Sequence, residues 1–202
     1  MVRTRAVARR LEVVMAHKVG YLIGSLSKDS INRVLSQCLI AVAPDDLEFH
    51  EIPIKDLPLY NRDLDDDYPA EATALKQAIA DSDALLFVTP EYNRSIPGAL
   101  KNAIDWASRP WGQNSFDHIP AAVIGASVGA IGTAVGQQPL RSILSYCNAR
   151  QMTAPEAYIH FDPEVYLASG EVTDEESREF LRAFMTEFRD HVERVLTVLP
   201  RD

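Results

Sequence analysis

Three short stretches of the sequence concentrate the residue types that bind a small anion or a flat aromatic ligand. The first, GSLSKDSIN at positions 24–32, carries three hydroxyls, a lysine and an amide: Ser25, Ser27, Ser30, Lys28 and Asn32. It precedes a helical pattern, where free backbone N–H groups and the helix dipole attract phosphate. A hydroxyl-rich helix cap would use the same residues, so this stretch alone leaves both interpretations open. It lacks the Gly-Lys-Ser/Thr of a Walker loop, which disfavours ATP hydrolysis.

The second stretch is TPEYNRSIPGALKNAIDWASRP at positions 89–110. An acid, an aromatic, an amide and an arginine follow a strand pattern there, and Pro97 then opens a helix. The third, GASVGAIGT at 125–133, has glycines whose spacing does not fit the dinucleotide pattern G-x-G-x-x-G. Glycine lets a backbone approach a ligand closely, although a plain tight turn uses it too. We interpret the second stretch as a turn that faces a flat aromatic cofactor.

Side chains that would perform acid–base or nucleophilic chemistry are not grouped in this sequence. It has no Ser-His-Asp, Cys-His or HExxH arrangement, and its five histidines are scattered. The acidic run at 63–67 is more typical of a solvated loop than of a site for a hard cation, and we predict no metal. A phosphate-binding loop in a sequence without grouped general acid and base residues indicates that a bound cofactor carries out the chemistry.

Hydrophobic periodicity predicts the strands and helices that these loops connect. Five strand patterns alternate with helical patterns, at 18–24, 47–54, 84–90, 120–127 and 154–161. This alternation predicts an α/β fold in which helices cover both faces of a parallel sheet. Ligands of such sheets bind beyond the carboxyl ends of the strands. The three stretches follow the first, third and fourth predicted strands, so we expect them to meet at one edge.

Two helices have sequence features at their ends or within them. Pro139 predicts a kink or a late start in the helix after the fourth strand. The last helix is predicted to begin at Thr173, with Glu176 three residues later completing a capping box.

Composition limits the classes of function. The chain has 202 residues, 47% of them hydrophobic, and a formal net charge of -9. The negative charge argues against broad nucleic-acid binding, and no apolar run is long enough to span a bilayer. Residues 1–16 form a poor signal peptide, and we expect a flexible extension before one domain at 17–202. Cys38 and Cys147 are too few for a disulfide framework and are predicted to be buried thiols. We expect a cytoplasmic protein.

Taken together, the three stretches resemble the NAD(P)H-dependent FMN reductase family, which includes quinone, azo-dye and chromate reductases. The likeness extends from about Lys18 to the last helix, and PEYN…S.PG.LKNAIDW is its most specific part. It implies a flavodoxin-like three-layer sandwich with a five-stranded parallel sheet in the order 2-1-3-4-5. It further implies bound FMN, NAD(P)H as hydride donor, a homodimer or homotetramer, and transfer in two half-reactions to quinones or similar acceptors.

The resemblance also assigns residues to the cofactor. The FMN phosphate would be held by Ser25, Ser27 and Asn32, although Ser27 stands where many relatives have arginine. The isoalloxazine ring would be bordered by Pro90, Glu91, Tyr92 and Asn93, through backbone amides and the Tyr92 ring. Its pyrimidine edge would meet Ser127, Val128 and Gly129, with Val128 in place of a frequent proline. No catalytic side chain is implied, because the flavin N5 carries the chemistry.

Two other functions remain open at this point. One is a flavodoxin-type electron carrier that binds FMN without its own NAD(P)H reaction, and the other is a phosphate-binding regulatory domain. A carrier would show a Thr/Ser-x-Thr-Gly-x-Thr loop, which this sequence lacks. For assembly, the segment with Trp106, Arg109 and Trp111 has the composition of an interface anchor. Covering the protein's own core is the alternative for these side chains.

Overall fold

Strands and helices alternate along the part of the chain that the computed structural model describes, residues 16–200. The predicted extension at 1–16 lies outside this range except for Ala16. The strands are β1 (His17–Ile23), β2 (Leu47–Glu51), β3 (Ala84–Val88), β4 (Pro120–Ser127), β5 (Arg150–Gln151) and β6 (Tyr158–His160). The helices are α1 (Ile31–Val42), α2 (Ala70–Ala80), α3 (Gly98–Ala107), α4 (Ala134–Tyr146) and α5 (Glu175–Val198), with a 3-10 turn at Arg62–Leu64.

The sheet is parallel and its order is β2-β1-β3-β4-β5, which confirms the predicted order. The fifth position is divided between two short strands, because β6 also pairs with β4. β5 pairs with Pro120 and Ala121, whereas β6 pairs with Gly125–Ser127 further along. The single strand predicted at 154–161 is therefore shorter than expected. Pro155 lies between the two strands, and proline has no N–H to donate to a ladder.

Two apolar clusters, one on each face of the sheet, make the three layers. Along β3, Leu86 points into the cluster under α1 and α5. Its neighbours Leu85 and Phe87 point into the cluster under α2, α3 and α4. Because successive side chains of a strand point to opposite faces, a strand buried on both faces must be apolar throughout. All five residues of β3 are buried, as the apolar run predicts.

The two helix predictions were partly wrong. Helix α4 begins at Ala134, so Pro139 lies inside it and does not delay its start. Helix α5 is capped by Asp174, whose carboxylate accepts a hydrogen bond from the Ser177 N–H at 2.8 Å. Thr173 lies one residue before this cap, and its hydroxyl donates to the Glu164 carbonyl oxygen. An Asp and a Thr in succession are both good caps, and tertiary contacts decided between them.

Trp106 is also corrected by the structure. It is fully buried, its indole N–H donates to the Pro58 carbonyl oxygen at 2.7 Å, and Tyr60 and Tyr68 contact its ring edge-on. It is a core residue and not an interface anchor. Both cysteines are buried free thiols, as predicted. None of the helices in residues 16–200 combines the length and the apolar composition that a bilayer crossing requires.

Candidate functional site

The three stretches meet at the carboxyl end of the sheet and enclose an open cleft of about 260 Å³. From the first stretch the cleft is lined by Ser25, Ser27, Asp29, Ser30, Ile31 and Asn32, and from the others by Pro90, Glu91, Tyr92, Ala126, Ser127 and Val128. Every predicted site residue except Asn93 and Gly129 lies on its wall. Loops that are far apart in sequence thus form one site, at the place where parallel sheets bind ligands.

Two glycines allow the three loops to come this close. A Cβ at Gly125 would overlap the Thr89 carbonyl oxygen and lie 2.6 Å from Thr133 Oγ1. A Cβ at Gly24 would lie 2.9 Å from Thr89 Cβ. Both distances are too short for real atoms, so a side chain at either position would push the loops apart. Glycine is required here for close packing of the protein itself.

The first loop presents donors at the head of α1. Ser25 is buried, and its Oγ accepts from the Ser27 N–H at 3.2 Å. Ser30 precedes α1 without making a side-chain cap. The N–H groups of Ile31 and Asn32 have no hydrogen-bond acceptor within residues 16–200. Uncapped N–H groups beside serine hydroxyls form a donor set that suits a phosphate.

The Asn32 side chain has a different role from the predicted one. It is only 1% exposed, and both of its polar atoms bind the backbone of Ala126. Nδ2 donates to the Ala126 carbonyl oxygen at 3.0 Å, and Oδ1 accepts from the Ala126 N–H at 2.9 Å. The amide therefore holds α1 against the end of β4. Its backbone N–H, rather than its side chain, is directed to the anion site by the helix geometry.

The second loop is a tight hairpin turn. Tyr92 and Ser95 exchange two backbone hydrogen bonds of 2.9 and 3.0 Å, and the residues between them, Asn93 and Arg94, have φ of 52° and 64°. Positive φ at both central positions is the type I′ geometry, which asparagine tolerates well. The Tyr92 N–H donates to the Ser95 carbonyl oxygen and is therefore not available to a ligand. This differs from the expectation that the backbone amide of Tyr92 would contact the ring. The N–H groups of Glu91 and Asn93 have no acceptor in the described part of the chain.

Glu91 makes a contact that the sequence did not predict. Its carboxylate, 10% exposed, accepts a hydrogen bond of 2.8 Å from the N–H of Gly136 in the first turn of α4. The Arg94 guanidinium lies 3.6 Å from the other carboxylate oxygen. Thr133, at the N-cap of α4, makes no side-chain cap, so a residue from another loop performs this role. The only sequence feature that could have indicated this contact is that the start of α4 lacks a capping box of its own.

The third loop is held by its own hydrogen bonds and exposes apolar side chains. Ser127 Oγ accepts from the Gly129 N–H at 3.0 Å, and the Gly129 carbonyl oxygen accepts from the Gly132 N–H at 3.0 Å. Val128, which lines the cleft, is largely exposed, and Ile131 of the same loop is half exposed. Exposed apolar groups beside a donor-rich cleft are suited to a ligand that has a charged end and a flat apolar part.

A second region that sequence reasoning missed supports the loop after α3. The ammonium group of Lys76 donates to three carbonyl oxygens, those of Ala107, Arg109 and Gln113, at 3.2, 2.6 and 2.5 Å. Tyr68 also donates to the Arg109 carbonyl oxygen, at 3.1 Å. Burial lowers the pKa of Lys76 and raises the pKa of Tyr68 to about 12. These donors hold the segment that presents Trp111 to solvent.

Comparison with known proteins identifies relatives of the whole fold. A family model described as NADPH-dependent FMN reductase matches residues 17–164. The chain is 49% identical over 174 residues to a 2-hydroxy-1,4-benzoquinone reductase of a Burkholderia species, covering 86% of this chain and 95% of that protein. It is 42% identical over 177 residues to a quinone reductase of Pseudomonas putida, covering 87% and 95%.

Among solved structures, the flavoenzyme NAD(P)H:(acceptor) oxidoreductase FerB from Paracoccus denitrificans superimposes with a TM-score of 0.86 at 49% identity. The match covers 89% of this chain and 98% of FerB. The family that the three loops predicted is thereby confirmed, as is the flavodoxin-like arrangement of the sheet. These relatives support an enzyme over a carrier without its own NAD(P)H reaction.

Proposed function

The chain belongs to the NADPH-dependent FMN reductase family, and we propose from this premise that it reduces quinones or similar two-electron acceptors with NAD(P)H through bound FMN. The observation that carries the proposal is the single cleft that joins an anion-binding helix start to two backbone-rich loops. The names of the relatives at 49% and 42% identity support a quinone as acceptor. Because the reaction draws on NAD(P)H, we place the protein in the cytoplasm.

The phosphate of FMN fits the donors at the head of α1. Hydroxyls of Ser25 and Ser27, together with the N–H groups of Ile31 and Asn32, would hold it. The positive end of the helix dipole adds to these hydrogen bonds. Ser27 and Lys28 are exposed, so each is free to turn toward an anion. Asn32 contributes by keeping the helix start in place against Ala126.

The isoalloxazine ring fits between the second and third loops. Pro90 and Tyr92 would border it, the free N–H groups of Glu91 and Asn93 would donate to its polar edge, and Ser127–Gly129 would meet its pyrimidine side. Bound FMN supplies the two-electron chemistry by accepting and passing on a hydride at N5. The protein positions the ring and offers donors where negative charge develops, and it needs no side chain that titrates during the reaction.

NAD(P)H and the acceptor would use the same open side of the cleft in turn. Exclusive occupancy of this kind predicts ping-pong kinetics, with parallel lines in double-reciprocal plots and competition between acceptor and NAD(P)H. A general acid–base mechanism would instead give a steep bell-shaped pH profile that one substitution abolishes. Intersecting lines would contradict the shared pocket.

The proposal is tested by an anaerobic titration. The purified protein loaded with FMN is expected to lose its flavin absorbance on addition of NADPH or NADH, and one equivalent of a benzoquinone is expected to restore it. A regulatory domain would bind no FMN, and a carrier would keep its colour when the reduced nicotinamide is added. Either result would overturn the proposed activity.

For assembly, a homodimer or homotetramer is proposed over a surface formed by Arg109, Trp111 and Tyr146. Trp111 and Tyr146 are each 79% exposed, and the Arg109 guanidinium lies 5.6 Å from the centre of the Trp111 ring. These side chains line a groove of about 410 Å³. Exposed aromatic and arginine side chains are typical interface anchors.

Light scattering of the wild type and Trp111→Ser at micromolar concentration tests this surface. The substitution is expected to lower the average mass, whereas Val198→Ser, which removes another exposed apolar side chain at the end of α5, is expected to leave it unchanged. A fully active wild-type monomer would contradict the assembly.

A further inference from the structure

Glu91 occupies an unusual position between two elements of the site. Its backbone belongs to the second loop, and its carboxylate reaches the first turn of α4, 45 residues later, where it accepts from the Gly136 N–H. The fit is tight, because a Cβ at Gly136 would lie 3.0 Å from Glu91 Cγ and 3.1 Å from the Ser95 carbonyl oxygen. The side chain therefore fastens the hairpin at 92–95 to the helix. No other side chain within residues 16–200 bonds to the Gly136 N–H.

The contact also sets the charge beside the cleft. The N-terminus of an α-helix carries about half of a positive elementary charge on its free N–H groups. The full negative charge of a carboxylate that caps it exceeds this value, which leaves a net negative charge at Glu91. Arg94 offsets it only in part, since its side chain is 70% exposed and lies 3.6 Å away. Glu91 lines the cleft, so a ligand in the cleft experiences this charge.

We propose that Glu91 is a positioning residue that both orders the second loop and lowers the reduction potential of the FMN held in the cleft. This rests on the proposed function, since it requires FMN in this cleft. Two-electron reduction adds negative charge to the flavin. A fixed negative charge at Glu91 therefore weakens the binding of reduced FMN more than that of oxidised FMN. The hydrogen bond to Gly136 keeps the donors of the second loop in place for both forms.

Two substitutions separate the charge of Glu91 from its hydrogen bond. Glu91→Gln keeps an oxygen that accepts from the Gly136 N–H and removes the charge. We expect it to favour reduced over oxidised FMN by about tenfold relative to wild type, which raises the potential of a two-electron couple by about 30 mV. Glu91→Ala removes the hydrogen bond as well. We expect it to weaken the binding of oxidised FMN by at least tenfold and to lower the midpoint of urea unfolding of the apoprotein.

The experiment measures three quantities in the full chain. These are the dissociation constant of oxidised FMN by fluorescence, the FMN potential by anaerobic equilibration with a reference dye, and the urea midpoint of the apoprotein. Glu176→Gln, which removes an exposed carboxylate of α5 that does not line the cleft, is the control for net charge. The proposal is supported if both Glu91 variants raise the potential while Glu176→Gln does not, and if only the Glu91→Ala apoprotein unfolds earlier than wild type.

The outcomes that overturn it are distinct from failure of the proposed function. If Glu91→Gln and Glu176→Gln both keep the wild-type potential, the carboxylate does not tune the flavin. If the Glu91→Ala apoprotein unfolds at the wild-type midpoint, the contact with Gly136 does not order the loop. A wild-type protein that takes up no FMN refutes the proposed function and the statement on potential together, while the unfolding comparison still decides the role of the contact.

Discussion

Asn32 and Ala126 are joined by two hydrogen bonds, one in each direction, although they are separated by 94 residues. The side-chain amide of Asn32 thereby makes the two hydrogen bonds that a neighbouring strand would make with Ala126, at the point where β4 leads into the third loop. It also fixes the start of α1, whose free N–H groups face the cleft. One buried side chain thus sets the distance between the phosphate end and the ring end of the candidate site.

Asn32→Ala is expected to destabilise the protein even in the absence of cofactor. It leaves the N–H and the carbonyl oxygen of Ala126 without partners in a buried place, which costs about 1–3 kcal/mol. Urea unfolding of the apoprotein measures this loss. Gln138→Ala, which truncates an exposed amide on α4, is the matched control and should stay within about 0.5 kcal/mol of wild type. An Asn32→Ala apoprotein with wild-type stability would show that these hydrogen bonds contribute nothing.

Ser25→Ala is expected to weaken the binding of FMN by roughly tenfold or more, because a hydrogen bond to a charged group contributes about 1.5–3 kcal/mol. Riboflavin, which has no phosphate, provides the internal control and should bind wild type and variant with the same affinity. Fluorescence titration of the apoproteins measures both ligands. Ser27→Arg is expected to tighten FMN and again to leave riboflavin unchanged. Equal losses for both ligands after Ser25→Ala would place the phosphate elsewhere.

Gly125→Ala is expected to destabilise the fold by about 1–3 kcal/mol or more, since the added Cβ would overlap the Thr89 carbonyl oxygen. Gly98→Ala is the control, because a Cβ at this first residue of α3 meets nothing within 4 Å. It should stabilise the protein by about 0.4–1 kcal/mol through the unfolded chain. Thermal and urea unfolding compare the two variants. A tolerant Gly125→Ala would show that the three loops can separate without cost.

The stability of the protein is expected to fall below about pH 6.5 partly because of His191. Burial lowers the pKa of His191, and its ring contacts the Arg150 carbonyl oxygen at 2.7 Å. Just below its ordinary pKa, the unfolded chain binds a proton at this residue that the folded chain does not bind, so acid favours unfolding. The contribution of neutral His191 is complete above about pH 6.5 and is lost as the pH falls.

The variant His191→Gln removes the contribution of the His191 imidazole to the pH dependence of stability. Its free energy of unfolding is expected to decrease less than that of wild type between about pH 7.5 and pH 5.5. Urea unfolding at the two pH values measures the difference. Parallel losses in the two proteins would mean that His191 does not contribute to the acid sensitivity.

Local sequence was sufficient for the main strands and for the edge at which the loops meet. The short apolar runs ALLFV and PAAVIGAS, each followed by turn residues, indicated strands buried on both faces, and they are β3 and β4. The hydroxyls, glycines and prolines that follow the strands identified all three loops of the cleft. The order of the strands came from resemblance to a family, because periodicity shows which face of an element is buried but not which strand is its neighbour.

Tertiary structure alone decided which partners the polar side chains bind. The Asn32 side chain was expected at the phosphate and binds Ala126, and Glu91 was expected beside the ring and also caps α4. Trp106 was predicted as an interface anchor, with the core as the alternative, and it lies in the core. Periodicity encodes contacts over a few residues, whereas these contacts join segments 94, 45 and 48 residues apart. A buried polar group must take whichever partner the fold brings within hydrogen-bond distance, and only the packed chain determines that partner.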